Sequence, residues 1–532
     1  MIYLTTMKKE NQDKKSFSFI SLLASLFVYI GAIAIYFYAN GWRIGNMDDF
    51  FIKTGVLTVV SDPFLATLYV DGEQKGRTPK SVSLPIGLYD ISLYRSDYRE
   101  WKKTIEIKDE KSTPVYPWLI LEDIQKKQPY LLEDIQYIDS WESKNGNYTY
   151  LLTSKVDTTS LQYTYSIYRF DLNTAFWDLS SNPTRVLSFE SEMQTEVDLL
   201  LSPDGTLGLL SIIESDNISC YLLDSSRYST LETSTALNIK AFINYEVSWS
   251  NDNNYLIFES DSDLISFDIA KQTRYLLLKE SSSNKSIWNT DEQGFFYKIS
   301  PNEDSTSENT YSYLLSQEEM DGSSQRVLID DLYFQKDTEY IKRYREDTGT
   351  GKYGPFTNSP ESTKSVGAIK AFSVDQDTKG IYILTETSSY WYNMDTGKYH
   401  LVSPYPSNFI EISPDNYKFL FKDTLGYFVF TFEKEDGDHT NQIGAKQIDA
   451  LNGKDVSDIS WLSNSSYVSY IKEGQIYISD KDGDNEMKIL EIPESLIYFD
   501  IKDSDEELIV MSLENNDILD TETITIDSYR IH

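Results

Sequence analysis

The stretch Leu201-Ser202-Pro203-Asp204-Gly205 sets a polar turn between two apolar runs, the second extending from Leu207 to Ile213. Proline presets one backbone angle of such a turn, aspartate hydrogen-bonds its own backbone two residues on, and glycine accepts a positive φ. The same unit recurs: an apolar or Trp position, a polar turn, a β run, then a second turn. First turns fall at Ser140–Gly146, Trp249–Asn253, Trp288–Glu292, Ser373–Asp377, Ile412–Asn416, Trp461–Ser465 and Ile501–Asp505. Second turns fall at Phe267–Lys271, Met320-Asp321-Gly322, Met394–Gly397 and Ser479–Asn485. Neighbouring centres are mostly about 40 to 60 residues apart, with one gap of about 85 between Asp291 and Asp375. Units of that length, each with room for four strands, are the mark of a β-propeller. Eight modules are counted between about residue 130 and residue 532, or seven blades if the first and last combine to close the ring.

The Ser-Pro-Asp-Gly turn followed by two strands and an Asp-x-Asp-Gly turn is similar to the blades of TolB-type propellers and related Trp-Asp repeats. That resemblance implies the architecture and no particular partner. The excess length in the wide gap predicts an exposed insertion over about 331–366, rich in Gly, Thr, Ser and charge. Such loops are where binding residues collect, and Tyr340, Tyr344, Tyr353 and Phe356 are its candidate contacts.

Ahead of the repeats, residues 55–121 alternate short strand runs with turn signals. Tyr89, Ile91 and Leu93 against Asp90 and Ser92 have a period of two, as do Trp101, Ile105 and Ile107 against Lys102, Thr104 and Glu106. One face is therefore buried and the other wet. Val59-x-Ser61-x-Pro63, Ala66-x-x-Tyr69-Val70-Asp71-Gly72, Gly76-x-Thr78-Pro79, Leu84, Gly87 and Asp97-Tyr98-x-x-Trp101 stand in the order of the PEGA domain, which this segment resembles. The resemblance implies a small β-sandwich without catalytic duty. Phe64 and Leu65 replace the Glu and Gly of the family's signature.

Residues 17–39 carry no charged side chain. As a helix they reach roughly 35 Å, enough to cross a bilayer with some tilt. Lys8, Lys9, Lys14 and Lys15 precede them, so the positive-inside rule leaves residues 1–16 in the cytoplasm and the bulk of the chain outside. The stretch is longer than a signal-peptide core, and Phe37 stands where cleavage after Ala39 needs a small residue. Residues 40–54 are expected as a stalk.

The formal net charge of −36 disfavours binding to nucleic acid or anionic headgroups. A single cysteine, Cys220, excludes an intramolecular disulfide, and its apolar neighbours predict a packed thiol.

Catalytic inventories are thin. The three histidines, His400, His439 and His532, sit in no metal-binding or base-like pattern, and no Gly-x-Ser-x-Gly elbow, Walker loop or dinucleotide fingerprint occurs. Carboxylate-based glycan hydrolysis needs only two acids, so composition leaves it open. Asp480, Asp482, Asp484 and Glu491 occupy positions 1, 3, 5 and 12 of a calcium-type loop, but Asn485 stands where the sharp-turn Gly belongs, and a plain hairpin is the expected structure. The Trp residues beside the first turns read as blade packing.

The expectation is thus an all-β chain: transmembrane helix, PEGA-like sandwich, seven- or eight-bladed propeller. Its function is expected to be a membrane-anchored, extracytoplasmic, non-catalytic scaffold of the cell envelope. Its partners would be the bilayer and an envelope protein or wall polymer, with no cofactor required. The alternatives are a wall- or glycan-processing enzyme and an envelope sensor.

Overall fold

The computed structural model describes residues 22–33, 35–37, 42–44, 51–108, 112–126, 130–143, 148–157, 162–171, 183–214, 217–231, 235–237, 245–260, 263–279, 287–291, 295–301, 310–335, 368–375, 379–432, 444–451, 456–493, 495–501, 507–516 and 521–532. The chain separates into two compact units, one holding residues 1–123 and one holding residues 124–433 and 442–532.

In the first unit, residues 22–33 and 35–37 are helical, with Leu22, Phe27, Val28 and Ile35 exposed. No helix among the described residues is long and apolar enough to cross a membrane, and the rest of the apolar stretch at 17–39 lies outside them. The segment expected as a stalk is partly folded. Trp42–Ile44 pairs antiparallel with the start of Phe51–Val59, so the sheet begins well before Gly55. The β-branched and aromatic residues at 51–54 satisfy a strand as readily as those after them.

Phe51–Val59 also pairs antiparallel with Lys80–Pro85 and in parallel with Ser112–Val115. A second sheet runs Glu73–Arg77, Thr67–Val70, Gly87–Tyr94, Trp101–Ile107 in spatial order. Its period-two pattern is realised: Ile91, Leu93, Trp101, Ile105 and Ile107 are buried with Leu57, Val59 and Leu68, while Asp90, Lys102 and Glu106 face solvent. Asp71 and Gly72 both take positive φ (48° and 77°), as a tight hairpin of this type requires.

Among the described residues the second unit holds six four-stranded antiparallel sheets and one eight-stranded sheet that joins the two ends of the series. Blade 2 comprises Glu196–Leu201, Leu207–Glu214, Asn217–Asp224 and Thr235–Leu237. Blade 3 comprises Glu246–Trp249, Tyr255–Glu259, Asp263–Asp268 and Thr273–Lys279. Blade 4 comprises Ile287–Thr290, Phe295–Pro301, Thr310–Glu319 and Gln325–Gln335. Blade 5 comprises Ile369–Asp375, Gly380–Thr385, Ser389–Asn393 and Lys398–Ser403. Blade 6 comprises Asn408–Ile412, Lys418–Asp423, Gly426–Thr431 and Gly444–Gln447. Blade 7 comprises Val456–Trp461, Tyr467–Lys472, Gln475–Asp480 and Met487–Glu491.

The ends meet through one long strand, Tyr130–Glu142. Its second half pairs with Tyr148–Asp157, which continues to Gln162–Asp171 and Thr184–Ser191 as blade 1. Its first half pairs with Thr521–Arg530 and so completes blade 8, whose other strands are Leu496–Ile501 and Glu507–Asn516. Eight modules are therefore present among the described residues, and the first and last are joined through their shared strand into one continuous sheet. Gln125–Lys126 adds to the same closure by pairing with Tyr529 and Arg530, and the Lys126 ammonium lies 2.7 Å from Asp527.

Among the described residues, apolar faces pack between successive sheets from blade 1 to blade 7 and between blades 8 and 1, which is why the strands carry near-continuous apolar runs. Leu152, Tyr165 and Ile167 of blade 1 pack on Val197, Leu199 and Leu210 of blade 2. Tyr382, Trp391 and Val402 of blade 5 pack on Phe419, Phe428 and Phe430 of blade 6. Ile135, Leu151 and Phe170 meet Ile509, Met511 and Ile524, so blade 8 packs on blade 1 as well.

Candidate functional site

The acids of the recurring first turns serve the turns themselves. Asp204 Oδ1 accepts from the Ser202 hydroxyl (2.7 Å) and the Thr206 amide (2.9 Å). Asp252 does the same for Ser250 (2.5 Å) and Asn254 (3.2 Å), and Asp415 for Ser413 (2.5 Å) and Tyr417 (3.1 Å). Such local bonds are what make Ser and Asp favoured in turns. The same turns link neighbouring blades: the Asp204 amide donates to Asn253 Oδ1, and the Asp415 amide to the Ser465 hydroxyl.

Tryptophan supplies a second link. Trp249 and Trp461, both buried, donate their indole N–H to the carbonyls of Leu200 and Glu411, each on the first strand of the preceding blade. A buried indole needs such a partner, and its recurrence at one module position reflects packing.

The acidic hairpin of blade 7 brings Asp480, Asp482 and Asp484 together, one carboxylate oxygen of each within 4.8 Å of the others. Glu491 is not with them. It ends the strand Met487–Glu491 opposite Gln475, at the far end of the hairpin, and its carboxylate is held by Lys488 at 2.6 Å. A calcium-type loop needs a chain that curls back over twelve residues, whereas strand pairing here extends it. Asp480 Oδ1 already accepts from the amides of Asp482 (3.1 Å) and Asp484 (2.8 Å), and Asp482 pairs with Lys446 at 2.8 Å. The three carboxylates can offer oxygens to a hard cation, but their present partners make the group a hairpin cap.

The strand Gln325–Gln335 runs through the start of the expected insertion because Thr310 pairs with Gln335. Tyr340, Tyr344, Tyr353 and Phe356 lie outside the described residues.

A polar group on the first strands escaped the sequence reading. Glu142, at the end of the first strand of blade 1, accepts from the Tyr498 hydroxyl of blade 8 at 3.2 Å. Partial desolvation pushes its carboxyl above the ordinary range and the charge of Asp458 in blade 7 adds to the effect, although the residue is exposed. Burial likewise raises the Tyr498 phenol, with Asp500 and Glu142 contributing. First strands of blades 1 and 8 thus meet through a side-chain hydrogen bond. A raised carboxyl beside a phenol can both donate and accept hydrogen bonds. The sequence offers no signal for it, since Glu142 and Tyr498 are 356 positions apart.

Glu411 is a related case with a structural duty. Its Oε2 accepts from the Ser460 hydroxyl and the Trp461 amide, both at 2.9 Å, and burial raises its carboxyl.

Residues 54–119 match the family model of the PEGA domain and are a PEGA domain. No curated protein matches the chain in sequence. Among solved structures, Hsv2 of Kluyveromyces lactis aligns over 74% of this chain and 98% of its own, at 9% identity and a TM-score of 0.33. The WD40 domain of SCAP from fission yeast aligns over 75% and 98%, at 12% identity and a TM-score of 0.38. The β-propeller domain of the Trilobed protease from Pyrococcus furiosus aligns over 74% and 93%, at 14% identity and a TM-score of 0.31. These neighbours are propellers, and the assignment of this chain rests on its own sheet order.

Proposed function

We propose that this protein is a membrane-anchored, extracytoplasmic, non-catalytic scaffold of the cell envelope, with the propeller as its interaction platform. The observation that carries this reading is the order of parts: an uncharged stretch at 17–39 behind four lysines, a PEGA domain, then eight blades closed by a shared strand. Rigid blades present loops and channel mouth as fixed surfaces, and propellers bind through such surfaces. The negative charge favours a cationic partner or a wall polymer bridged by divalent ions, and disfavours nucleic acid. Crosslinked pull-down from intact cells with the propeller as bait tests it. Enrichment of one envelope protein is expected, and capture of cytoplasmic proteins alone overturns it.

Glu142 favours a second reading, a glycan-processing enzyme, because a carboxyl held above its ordinary range, bonded to a phenol and sensing the charge of a second acid, Asp458, is the character of a general acid. Loss of a wall glycan on incubation with the protein, abolished by Glu142→Gln, is the outcome that would establish it over the scaffold.

A further inference from the structure

The PEGA domain carries two exposed aliphatic side chains at one end: Ile86, 48% exposed, and Leu88, 71% exposed. Strand register fixes where that end lies. Trp42, three residues past the uncharged stretch, pairs with Lys53, and the carbonyl of Lys53 accepts from the Ile86 amide at 3.3 Å. Thr54 pairs with Pro85 alongside. The ring of Phe37, the last described residue of the helix, meets the ring of Trp42 edge-on with centroids 6.0 Å apart, and the Lys53 ammonium sits 5.7 Å from the same indole. Among the described residues, helix end, Trp42, Lys53 and the Pro85–Leu88 corner are therefore linked by successive contacts.

We infer that Ile86 and Leu88 insert into the headgroup–acyl boundary of the bilayer in which the helix is embedded, seating the PEGA domain directly on the membrane. The inference rests on the anchored reading above. Exposed aliphatics at a corner held beside a membrane exit gain the apolar contact they lack in water, and side chains in this position sink about 5–10 Å into the interface. Trp42, with Lys53 over its ring, adds an amphipathic aromatic and a cation at the same level, the composition of an interfacial belt. Tyr94, at the other end of the strand Gly87–Tyr94 and 56% exposed, serves as an internal reference, on the order of 20 Å further along the strand.

The test uses the full chain in phosphatidylethanolamine–phosphatidylglycerol vesicles, with Cys220→Ala removing the single native thiol. Leu88→Cys, Ile86→Cys, Tyr94→Cys and Tyr29→Cys each carry an environment-sensitive fluorophore, and lipids with nitroxides at headgroup or mid-chain depth act as quenchers. Mid-chain nitroxides are expected to quench the label at Tyr29, and headgroup nitroxides the labels at Leu88 and Ile86. Quenching at Tyr94 should be at least about twofold weaker, given the distance along the strand. Strong quenching at Tyr29 with equal, weak quenching at Leu88, Ile86 and Tyr94 overturns the seating while the anchor stands. Absence of quenching at Tyr29 overturns the anchor, and the seating with it.

Discussion

Gly380 faces the indole of Trp391 so closely that a Cβ built on it would lie 1.7 Å from Cζ2 of the ring. Gly380→Ala must displace a fully buried side chain, and we expect a loss of about 1–3 kcal/mol, read as a lowered midpoint in thermal unfolding. Leu65 is the converse case. It stands where the PEGA signature has glycine, takes a φ of 69°, and is 63% exposed, so little packing compensates the left-handed backbone. Leu65→Gly should stabilise the domain by up to about 1 kcal/mol, and a loss would show that the side chain has an unrecognised contact. Glu411 makes a pH prediction. Its folded carboxyl titrates above the ordinary 4.5, so the folded state holds its proton more tightly than the unfolded one. Stability from this group is present below the unfolded value and is lost as pH rises through the folded value. Glu411→Gln keeps an oxygen for Trp461 and Ser460 without the charge. The variant should equal the parent near pH 4 and exceed it at neutral pH, by denaturant unfolding at the two pH values.

The strand Tyr130–Glu142 does at element scale what no local pattern announces. Leu132 pairs with Ile524, and the Tyr137 amide donates to Glu522 across 385 positions. A proline inside a strand removes a ladder hydrogen bond. Leu132→Pro should also unlatch blade 8 from blade 1, whereas His400→Pro in the outer strand of blade 5 should loosen that edge alone. Hydrogen exchange separates the two: protection should fall across 496–530 in the first variant and only near 389–403 in the second. The turns and strands themselves were legible in the sequence, because Ser-x-Asp bonding and period-two burial are settled within a few residues. What was not legible is what distant chain segments decide: the shared strand and the meeting of Glu142 with Tyr498. The stalk was misjudged for a similar reason, since only its partner strand reveals that Trp42–Ile44 is paired.

Charge acts on the molecule as a whole. With 84 acidic against 48 basic residues, self-repulsion opposes compactness and is screened over about 10 Å at 0.1 M salt. Raising sodium chloride should therefore raise the unfolding midpoint. Calcium at matched ionic strength should do no more, because Asp480 and Asp482 are engaged by amides and by Lys446. An extra calcium shift removed by Asp484→Asn would instead mark a bound ion. The latch also has a temporal side. Residues 130–135 emerge from the ribosome early and cannot find their sheet until residues 521–530 follow. In that interval the nascent molecule exposes a bare β edge able to pair with any neighbour. A product stopped before Thr521 never covers it, so truncated molecules should assemble with one another, and quality control must dispose of them before they do.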